Sequence, residues 1–169
     1  MIKVKYNKQL SIYMLRLDNF SLGDTDTIFL KFDTGAINTV IGIRVLFEYL
    51  SKNDFNKLLE ALKESGIEAE SFKSASGNEL LGYPCVVHNV EISGEHFENF
   101  CFYLIINSDR NIALLGDDFI SHCDFKHKKQ GDIIISDFED ASMYESFRRG
   151  SKVLELNEIV KSINSTLAH

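Results

Sequence analysis

The feature of this sequence that could do chemistry is an acidic residue directly after an apolar strand. Asp33 follows the apolar stretch 28–32 and is itself followed by Thr34, Gly35 and Ala36. Glycine lets the backbone turn back sharply, so that its N–H groups can point at the carboxylate. A carboxylate held in this way can accept or donate a proton as a general base or acid. Asp33 is therefore the candidate catalytic residue.

A second apolar strand pattern that ends in glycine occurs later in the chain. It covers Ile112-Ala113-Leu114-Leu115-Gly116 and is followed by Asp117-Asp118-Phe119-Ile120. Short apolar runs bounded by turn residues are typical of buried strands. The pattern predicts a second buried strand, with Asp118 as the cap of a short helix after it.

These two motifs, in this order, resemble those of the retropepsin-like aspartic proteases. The family combines a D-T-G-A loop, a flap hairpin and then two apolar residues with glycine, and the likeness runs from Leu10 to Ser136. D-T-G alone recurs by chance, but D-T-G-A after an apolar strand, with L-L-G-D-D-F-I behind it, is much more specific. The match is closer to cellular and bacterial members than to the retroviral enzymes. The resemblance implies a mainly β, closed barrel-like fold with one internal helix and a helical C-terminal extension.

The resemblance also implies roles for residues of both motifs. Catalysis would fall to Asp33, Thr34 and Gly35, with Thr34 bonding across a two-fold axis. Packing behind this loop would come from Leu114, Leu115 and Gly116. Substrate contacts would come from Ala36 and the flap tip, Ser76, Gly77 and Asn78.

Peptide hydrolysis without a metal or a covalent nucleophile needs two carboxyl groups close together. The ionised group takes a proton from a water held between them, and the protonated group donates a hydrogen bond to the substrate carbonyl oxygen. Two like charges this close cannot both ionise, so the pair shares one proton. The sequence has one D-T-G, because the steps Asp24-Thr25 and Asp26-Thr27 lack the glycine. We therefore expect a homodimer, in which a second copy supplies the second carboxylate.

Three positions near the motifs differ from better-known relatives. Ile37 stands where retroviral enzymes have an aspartate that contacts the substrate backbone, and Asp117 stands where they have the arginine often paired with it. The absence of both members indicates a different local packing rather than a broken site. Ala36 lacks the hydroxyl that pepsin-like enzymes use to stabilise the carboxylate. We therefore expect optimal activity at mildly acidic to near-neutral pH.

Strands are predicted to lead into and out of the Asp33 loop. They cover 10–17, 27–32 and 39–43, which are rich in β-branched and large apolar residues. A helix is predicted next, because four apolar residues between 55 and 62 fall on one helical face. Its N-cap is expected at Ser51 or Asn53, and Gly66 is expected to end it.

Three hairpins are predicted after this helix. The first turns at 76–79 and corresponds to the mobile flap of the family, although any surface hairpin would give the same pattern. The second joins 86–92 to 97–106 through Ser93-Gly94-Glu95. The third joins 124–126 to 132–135 around Gln130-Gly131.

The pattern becomes helical beyond Ser136. We therefore divide the chain into a retropepsin-like protease domain, 1–136, and a helical C-terminal extension, 137–169. One helix is expected from Phe138 to Arg149, and a second from Ser151, in which apolar residues recur at coiled-coil spacing. The second helix is expected either to contribute to subunit contacts or to dock on its own core.

Composition limits the classes of protein to consider. A chain of 169 residues is long enough for one sizeable core. Its net charge of −7, with no basic stretch interleaved with aromatics, argues against a nucleic-acid partner. The sequence has no targeting signal and no run of membrane-spanning length. Three cysteines fit reduced thiols better than a disulfide framework. We expect a soluble cytoplasmic protein without a membrane partner.

Two other functions fit parts of this sequence. A catalytically silent retropepsin-like domain, used for dimerisation or binding, would have the same fold, although nothing would then require a carboxylate at Asp33. A zinc site would draw on Cys85, His88, His122, Cys123 and His127. Cys85 and His88 are three apart on a predicted strand and should point to opposite faces. We therefore expect no metal and no cofactor.

Overall fold

Strands dominate the architecture of this chain. A computed structural model describes residues 2–22, 25–48, 50–74, 77–108, 111–121, 123–127, 133–138 and 152–167. The strands are β1 (Ile2–Asn7), β2 (Ile12–Leu22), β3 (Thr25–Phe32), β4 (Val40–Gly42), β5 (Glu70–Lys73), β6 (Glu79–Ile92), β7 (Glu95–Ile105), β8 (Ala113–Leu115), β9 (Cys123–His127), β10 (Ile133–Phe138) and β11 (Leu154–Glu155). The helices are α1 (Ile43–Leu46), α2 (Lys52–Glu64), α3 (Asp117–Ile120) and α4 (Leu156–Leu167).

Six of these strands close into a barrel, in the order β6, β7, β4, β8, β3, β2 and back to β6. Most neighbours are antiparallel, but β3 pairs with β8, and β4 with β7, in parallel. Outside the ring, β2 pairs with β1, which pairs with β10, and β5 pairs with β6. Closure gives every strand of the ring an inner and an outer face. The prediction of a mainly β, closed barrel-like fold with an internal helix is confirmed.

Alternation along the strands separates the barrel interior from its outer face. Leu15, Leu30 and Leu104 are fully buried, whereas their neighbours Lys31 and Tyr103 are exposed or half-buried. Successive side chains of a strand point to opposite faces. The apolar residues therefore fill the interior, and polar groups are left on the outer face. That outer face carries the candidate site.

Helix α2 lies where the apolar period predicts it. The Ser51 hydroxyl accepts a hydrogen bond from the Asp54 N–H at 3.2 Å, which identifies Ser51 as the N-cap. Leu58 and Leu62 are fully buried. Gly66 follows with φ +78°, a left-handed conformation that glycine adopts without strain. The predicted helix and its end are confirmed.

The three predicted hairpins are present. β5 pairs with β6, β6 with β7, and β9 with β10, all antiparallel. The β6–β7 turn lies at Ser93 and Gly94, as predicted. Two of the predicted turns are described only in part, because Ser76 and Gln130-Gly131 lie outside the described residues.

The C-terminal segment departs from the prediction in its first residues. The second helix begins at Leu156 rather than Ser151, because Leu154 and Glu155 pair with β6 as a short parallel strand. Pairing with a neighbouring strand, combined with burial of Leu154, outweighs the local helical pattern. The helix predicted from Phe138 lies outside the described residues, except that Phe138 itself ends β10. The domain division at 136 stays a prediction.

Helix α4 packs on its own chain. Its apolar positions Leu156, Val160 and Ile163 are buried in the common core, and the helix contacts α2, β6 and β2. Docking on its own core is therefore confirmed for these residues. A contribution of residues 151–167 to subunit contacts stays a prediction. In the part of the chain described, none of the helices combines the length and the apolar character needed to cross a bilayer.

Candidate active site

The loop that begins at Asp33 is shaped by its own hydrogen bonds. Asp33 is the first residue beyond β3, and its N–H donates to the Leu115 carbonyl at 3.0 Å. The Gly35 N–H donates to Asp33 Oδ1 at 3.0 Å, and the Ala36 N–H donates to the Asp33 carbonyl at 3.2 Å. The Asp33 side chain is 30% exposed, and Thr34 is exposed beside it. The glycine therefore aims its N–H at a carboxylate that solvent and other molecules can reach.

Backbone hydrogen bonds from α3 hold the far side of the same loop. The Asp117 N–H donates to the Ala36 carbonyl at 2.8 Å, and the Asp118 N–H donates to the Ile37 carbonyl at 3.1 Å. The Ile37 side chain is 79% exposed, so it plays no part in this contact. The two predicted departures from the retroviral pattern, Ile37 and Asp117, thus lie where the main chain forms the connection.

Gly116 lies where two backbone segments touch. A Cβ at this position would come within 2.4 Å of the Asn38 carbonyl carbon, so only glycine fits. Leu115, on the preceding strand, is fully buried and its carbonyl bonds to the loop. Leu114 alternates with it and is half-buried on the other face. Leu115 and Gly116 therefore support the loop, whereas Leu114 borders the surface next to it.

Thr39 connects the strand leaving the loop to α3, a role that no sequence pattern indicates. Thr39 is fully buried. Its Oγ donates to Asp118 Oδ1 at 2.7 Å, and its N–H donates to both carboxylate oxygens at 2.9 and 3.0 Å. The Gly116 N–H donates to the same Oγ at 3.0 Å. We call Thr39, Gly116 and Asp118 the latch.

Burial and the hydrogen bonds of the latch act in opposite directions on the pKa of Asp118. Burial raises the pKa of Asp118, and the hydrogen bonds from Thr39 and the Phe119 N–H oppose that rise without cancelling it. The prediction that Asp118 caps the short helix is wrong, because α3 begins at Asp117 with Gly116 as its N-cap. Thr39 and Asp118 are 79 positions apart, so no local pattern could have linked them.

Lys31 is a second residue that the sequence reasoning missed. Its Nζ lies 3.9 Å from Asp33 Oδ2. Lys31 lies on the outer face of the barrel near the end of β3, and Asp33 follows directly after that strand, two positions further on. That spacing is a signal that could have identified Lys31.

A row of side chains crosses the outer face beside Asp33. Lys31 pairs with Leu114, Leu114 with Val40, and Val40 with Tyr103. Paired residues on adjacent strands project from the same face. The row therefore runs from the Asp33 loop towards the β5–β6 hairpin, and we call it the floor row.

The β5–β6 hairpin covers the far end of the floor row. The Phe72 ring packs edge-on against the Tyr103 ring, with centroids 4.7 Å apart. Glu70 hydrogen-bonds to Tyr103, and burial, together with the Glu70 charge, raises the pKa of Tyr103. At the base of the hairpin, the Asn107 side chain accepts from the Leu81 N–H at 2.8 Å. The hairpin is thus anchored at its base and by one aromatic contact.

The tip of this hairpin carries two of the predicted substrate-binding residues. Gly77 and Asn78 are exposed, and Gly77 has φ +85°. The Gly77 N–H donates to the Ser74 carbonyl at 2.9 Å, and the Asn78 N–H donates to the Ser74 hydroxyl at 3.2 Å. The third, Ser76, lies outside the described residues. The structure therefore gathers Asp33, Gly35 and Ala36 against β8 and α3, and places Gly77 and Asn78 on the exposed hairpin.

The candidate zinc ligands that are described do not converge. Cys85 is fully buried, and this burial raises the pKa of its thiol. His88 lies on the opposite face, where it contacts Asn99 at 2.8 Å and Glu155 at 2.5 Å. Over the described ranges, no group of three or more metal-ligating side chains comes together. The remaining candidates lie where no side chain is described: His122, Cys123 and His127.

Comparisons with known proteins find distant likeness in structure. No family model matches this chain, and no curated protein matches it. Among solved structures, it is similar to the crystal structure of a retropepsin-like aspartic protease from Rickettsia conorii. The identity is 18%, the likeness covers 79% of this chain and 88% of that chain, and the TM-score is 0.45. Function is therefore inferred from the residues of the Asp33 loop and of the surface beside it.

Proposed function

We propose that this chain is an aspartic endopeptidase of the retropepsin type that acts as a homodimer. The observation that carries the proposal is the Asp33 loop, which presents one carboxylate on the outer face of a barrel with a glycine N–H bonded to Oδ1. A single carboxyl group cannot be acid and base at the same moment. The sequence contains one such loop, so a second copy supplies the other group.

In the proposed dimer, two Asp33 carboxyl groups face each other across a two-fold axis. Their mutual repulsion keeps one proton on the pair. The ionised carboxylate removes a proton from the water held between them, and that water attacks the peptide carbonyl carbon. The protonated carboxyl donates to the carbonyl oxygen, which becomes a hydroxyl as the tetrahedral intermediate forms. The carboxyl that took the water proton then protonates the leaving nitrogen, the other carboxylate takes the proton of one hydroxyl, and the C–N bond breaks.

The surface beside Asp33 supports a peptide as the substrate. The floor row contains the apolar residues Leu114 and Val40, and Phe72 of the hairpin lies over its far end. Together they form an apolar wall next to the carboxylate. The hairpin with Gly77 and Asn78 is proposed to close over an extended chain lying along this wall. Apolar surfaces with a few convergent polar groups are typical of ligand sites.

Replacement of the carboxylate tests the proposal directly. Asp33→Asn keeps the shape and the Oδ1 acceptor for the Gly35 N–H but cannot act as a base. We expect it to abolish cleavage of a diverse peptide library by the purified protein, while sedimentation still shows a dimer. Asp26→Asn is the matched control, because Asp26 is also followed by threonine but is exposed on β3 and lacks the glycine turn. It should retain wild-type cleavage.

Three results would contradict the proposal. The first is a wild-type chain that is monomeric at all concentrations that support cleavage. The second is retained activity in Asp33→Asn, and the third is cleavage that a statine-type inhibitor leaves unaffected. A dimer that cleaves no peptide would instead favour the catalytically silent dimerisation domain.

We also propose that the enzyme works in the cytoplasm. Cys85 is a free, fully buried thiol in the structure. Reduced cysteines of this kind are typical of proteins from reducing compartments. Fractionation of cells that express the chain tests this assignment.

A further inference from the structure

We propose that the far end of the floor row is a specificity site that selects a lysine or arginine side chain of the substrate peptide. The site consists of the Phe72 and Tyr103 rings, the Glu70 carboxylate and a cavity beside them. This inference rests on the proposed function and adds a substrate preference to it. A side chain with an apolar stem and a cationic end fits aromatic rings that lie next to a carboxylate.

A cavity continues the floor row beyond Tyr103. Its volume is about 270 Å³, and its lining includes Glu68, Glu70 and Pro84. Pro84 pairs with Tyr103 across β6 and β7, and Glu70 hydrogen-bonds to Tyr103. Paired residues on adjacent strands project from the same face. A side chain that lies over Tyr103 can therefore reach the cavity and its carboxylates.

Two aromatic rings meet where the floor row approaches this cavity. Glu70 and Phe72 are alternate residues of β5, so both project from one face of the hairpin, towards Tyr103. Gly82 makes the contact between the rings possible, because a Cβ there would lie 3.1 Å from the Tyr103 Cβ and 3.2 Å from the Phe72 ring. An aromatic face attracts a cation within about 6 Å of its centre.

The charges around the site favour a cation over an anion. Glu68 and Glu70 are exposed residues of the cavity lining, and the Asp118 charge acts on Tyr103 from the α3 side. Lys152 is the cation of the same lining, and it is exposed. The two carboxylates of the lining thus outnumber its one ammonium group. Lys152 should therefore weaken the preference for a cationic side chain without reversing it.

The strand register limits how far the selected residue lies from the cleaved bond. Tyr103 is three strands away from Lys31, whose Nζ lies 3.9 Å from Asp33 Oδ2. Neighbouring strands are about 4.8 Å apart, so the separation along the sheet is at most about 14 Å. An extended peptide covers this length in about four residues. Because the proposed dimer is two-fold symmetric, the preference should occur on both sides of the cleaved bond.

Peptides that contain lysine or its uncharged analogue norleucine at each position in turn test the inference. We expect the wild type to cleave best where lysine lies within about four residues of the cut. Glu70→Gln should lower the lysine-to-norleucine ratio of kcat/KM about twofold to fivefold, and Lys152→Gln should raise this ratio. The control Glu60→Gln removes one exposed carboxylate of α2 and should leave the ratio unchanged.

Binding of the same peptides to Asp33→Asn is a readout that does not need cleavage. Fluorescence anisotropy should give a lower Kd for the lysine peptide than for the norleucine peptide, and the added substitution Glu70→Gln should reduce this difference. The difference should also shrink between 0.1 and 1 M salt. If the wild type cleaves no peptide while this difference is present, the proposed catalysis is wrong and the cation site is supported.

The inference is overturned if neither assay distinguishes lysine from norleucine, or if the preference persists unchanged in Glu70→Gln. It is equally overturned if Glu60→Gln lowers the ratio as much as Glu70→Gln does, because the net charge of the chain would then be the cause. If Glu70→Gln does not fold, Lys152→Gln decides, and a ratio that does not rise in this variant contradicts the inference.

Discussion

Loss of the Thr39 hydroxyl should destabilise this fold more than its size suggests. Thr39→Val keeps the shape of a fully buried side chain but removes the donor to Asp118 Oδ1 and the acceptor of the Gly116 N–H. A hydrogen bond to a charged group contributes about 1.5 kcal/mol or more, and an orphaned buried N–H costs a similar amount. We expect the free energy of unfolding at pH 7 to fall by about 3 kcal/mol. For a chain of this length, the melting temperature should fall by about 9 °C.

The same substitution should have a smaller effect at lower pH. Because burial raises the pKa of Asp118 above the ordinary aspartate range, the folded state binds this proton more tightly than the unfolded state. The contribution of Asp118 to stability is therefore fully present below the ordinary range and is lost as pH rises through the raised value. Valine removes a hydrogen bond that opposes the rise, so the loss with pH becomes larger. The deficit of Thr39→Val should shrink when Asp118 is protonated.

Urea unfolding followed by circular dichroism at several pH values between 4 and 7 measures both effects. Thr39→Ser keeps the hydroxyl and serves as the matched control, with a loss set by one methyl group. Asp118→Asn removes the titrating group. The double variant Thr39→Val/Asp118→Asn should therefore have a stability deficit that does not grow with pH. The reasoning about the latch is refuted if Thr39→Val costs less than about 1 kcal/mol at pH 7, or if its cost is the same at every pH.

Three further predictions concern other parts of the molecule. Gly116→Ala should lower the free energy of unfolding by about 3 kcal/mol or more, since its Cβ would lie 2.4 Å from a backbone atom. The Cβ of Gly66→Ala would meet open space, so this variant should cost only about 1 kcal/mol, for its left-handed φ. Urea titrations of the two variants compare these costs. Peptide cleavage should peak at mildly acidic to near-neutral pH because Ala36 offers no hydroxyl, and a pH–rate maximum near pH 3 would contradict this. Burial lowers the pKa of His88, but the hydrogen bond and charge of Glu155 outweigh it and raise the pKa overall. The His88–Glu155 pair therefore stabilises β11 below the ordinary histidine range, and its contribution is lost as pH rises through the raised pKa. This contribution should be less than about 1 kcal/mol, because both side chains are partly exposed. Glu155→Gln should abolish its pH dependence, measured by hydrogen exchange of β11.

Local signals predicted the elements that hold the site. The apolar period placed α2 with its cap at Ser51, and turn residues placed the β6–β7 hairpin at Ser93 and Gly94. The D-T-G loop has the expected Gly35 N–H bonded to Asp33. In each case the determining contacts lie within a few residues along the chain, so the sequence pattern carries the information.

Contacts between distant segments were not predictable in this way. The bond from Thr39 to Asp118 joins residues 79 positions apart, and a buried threonine looks the same in sequence as any strand threonine. Leu154 and Glu155 pair with β6 although their neighbours form a helix, because an open strand edge lies within reach only in the folded chain. The Lys31 contact is different, because Lys31 lies only two residues before Asp33 and could have been identified from the sequence.

The connection between the Asp33 loop and α3 consists of main-chain bonds, from Asp117 to Ala36 and from Asp118 to Ile37. Amide and carbonyl groups are present whatever residue occupies the site. Substitutions at 36, 37 and 117 can therefore change the side chains beside Asp33 while the main-chain architecture of the loop persists. Libraries that probe the proposed peptide specificity should randomise those three codons first and leave 39, 116 and 118 untouched.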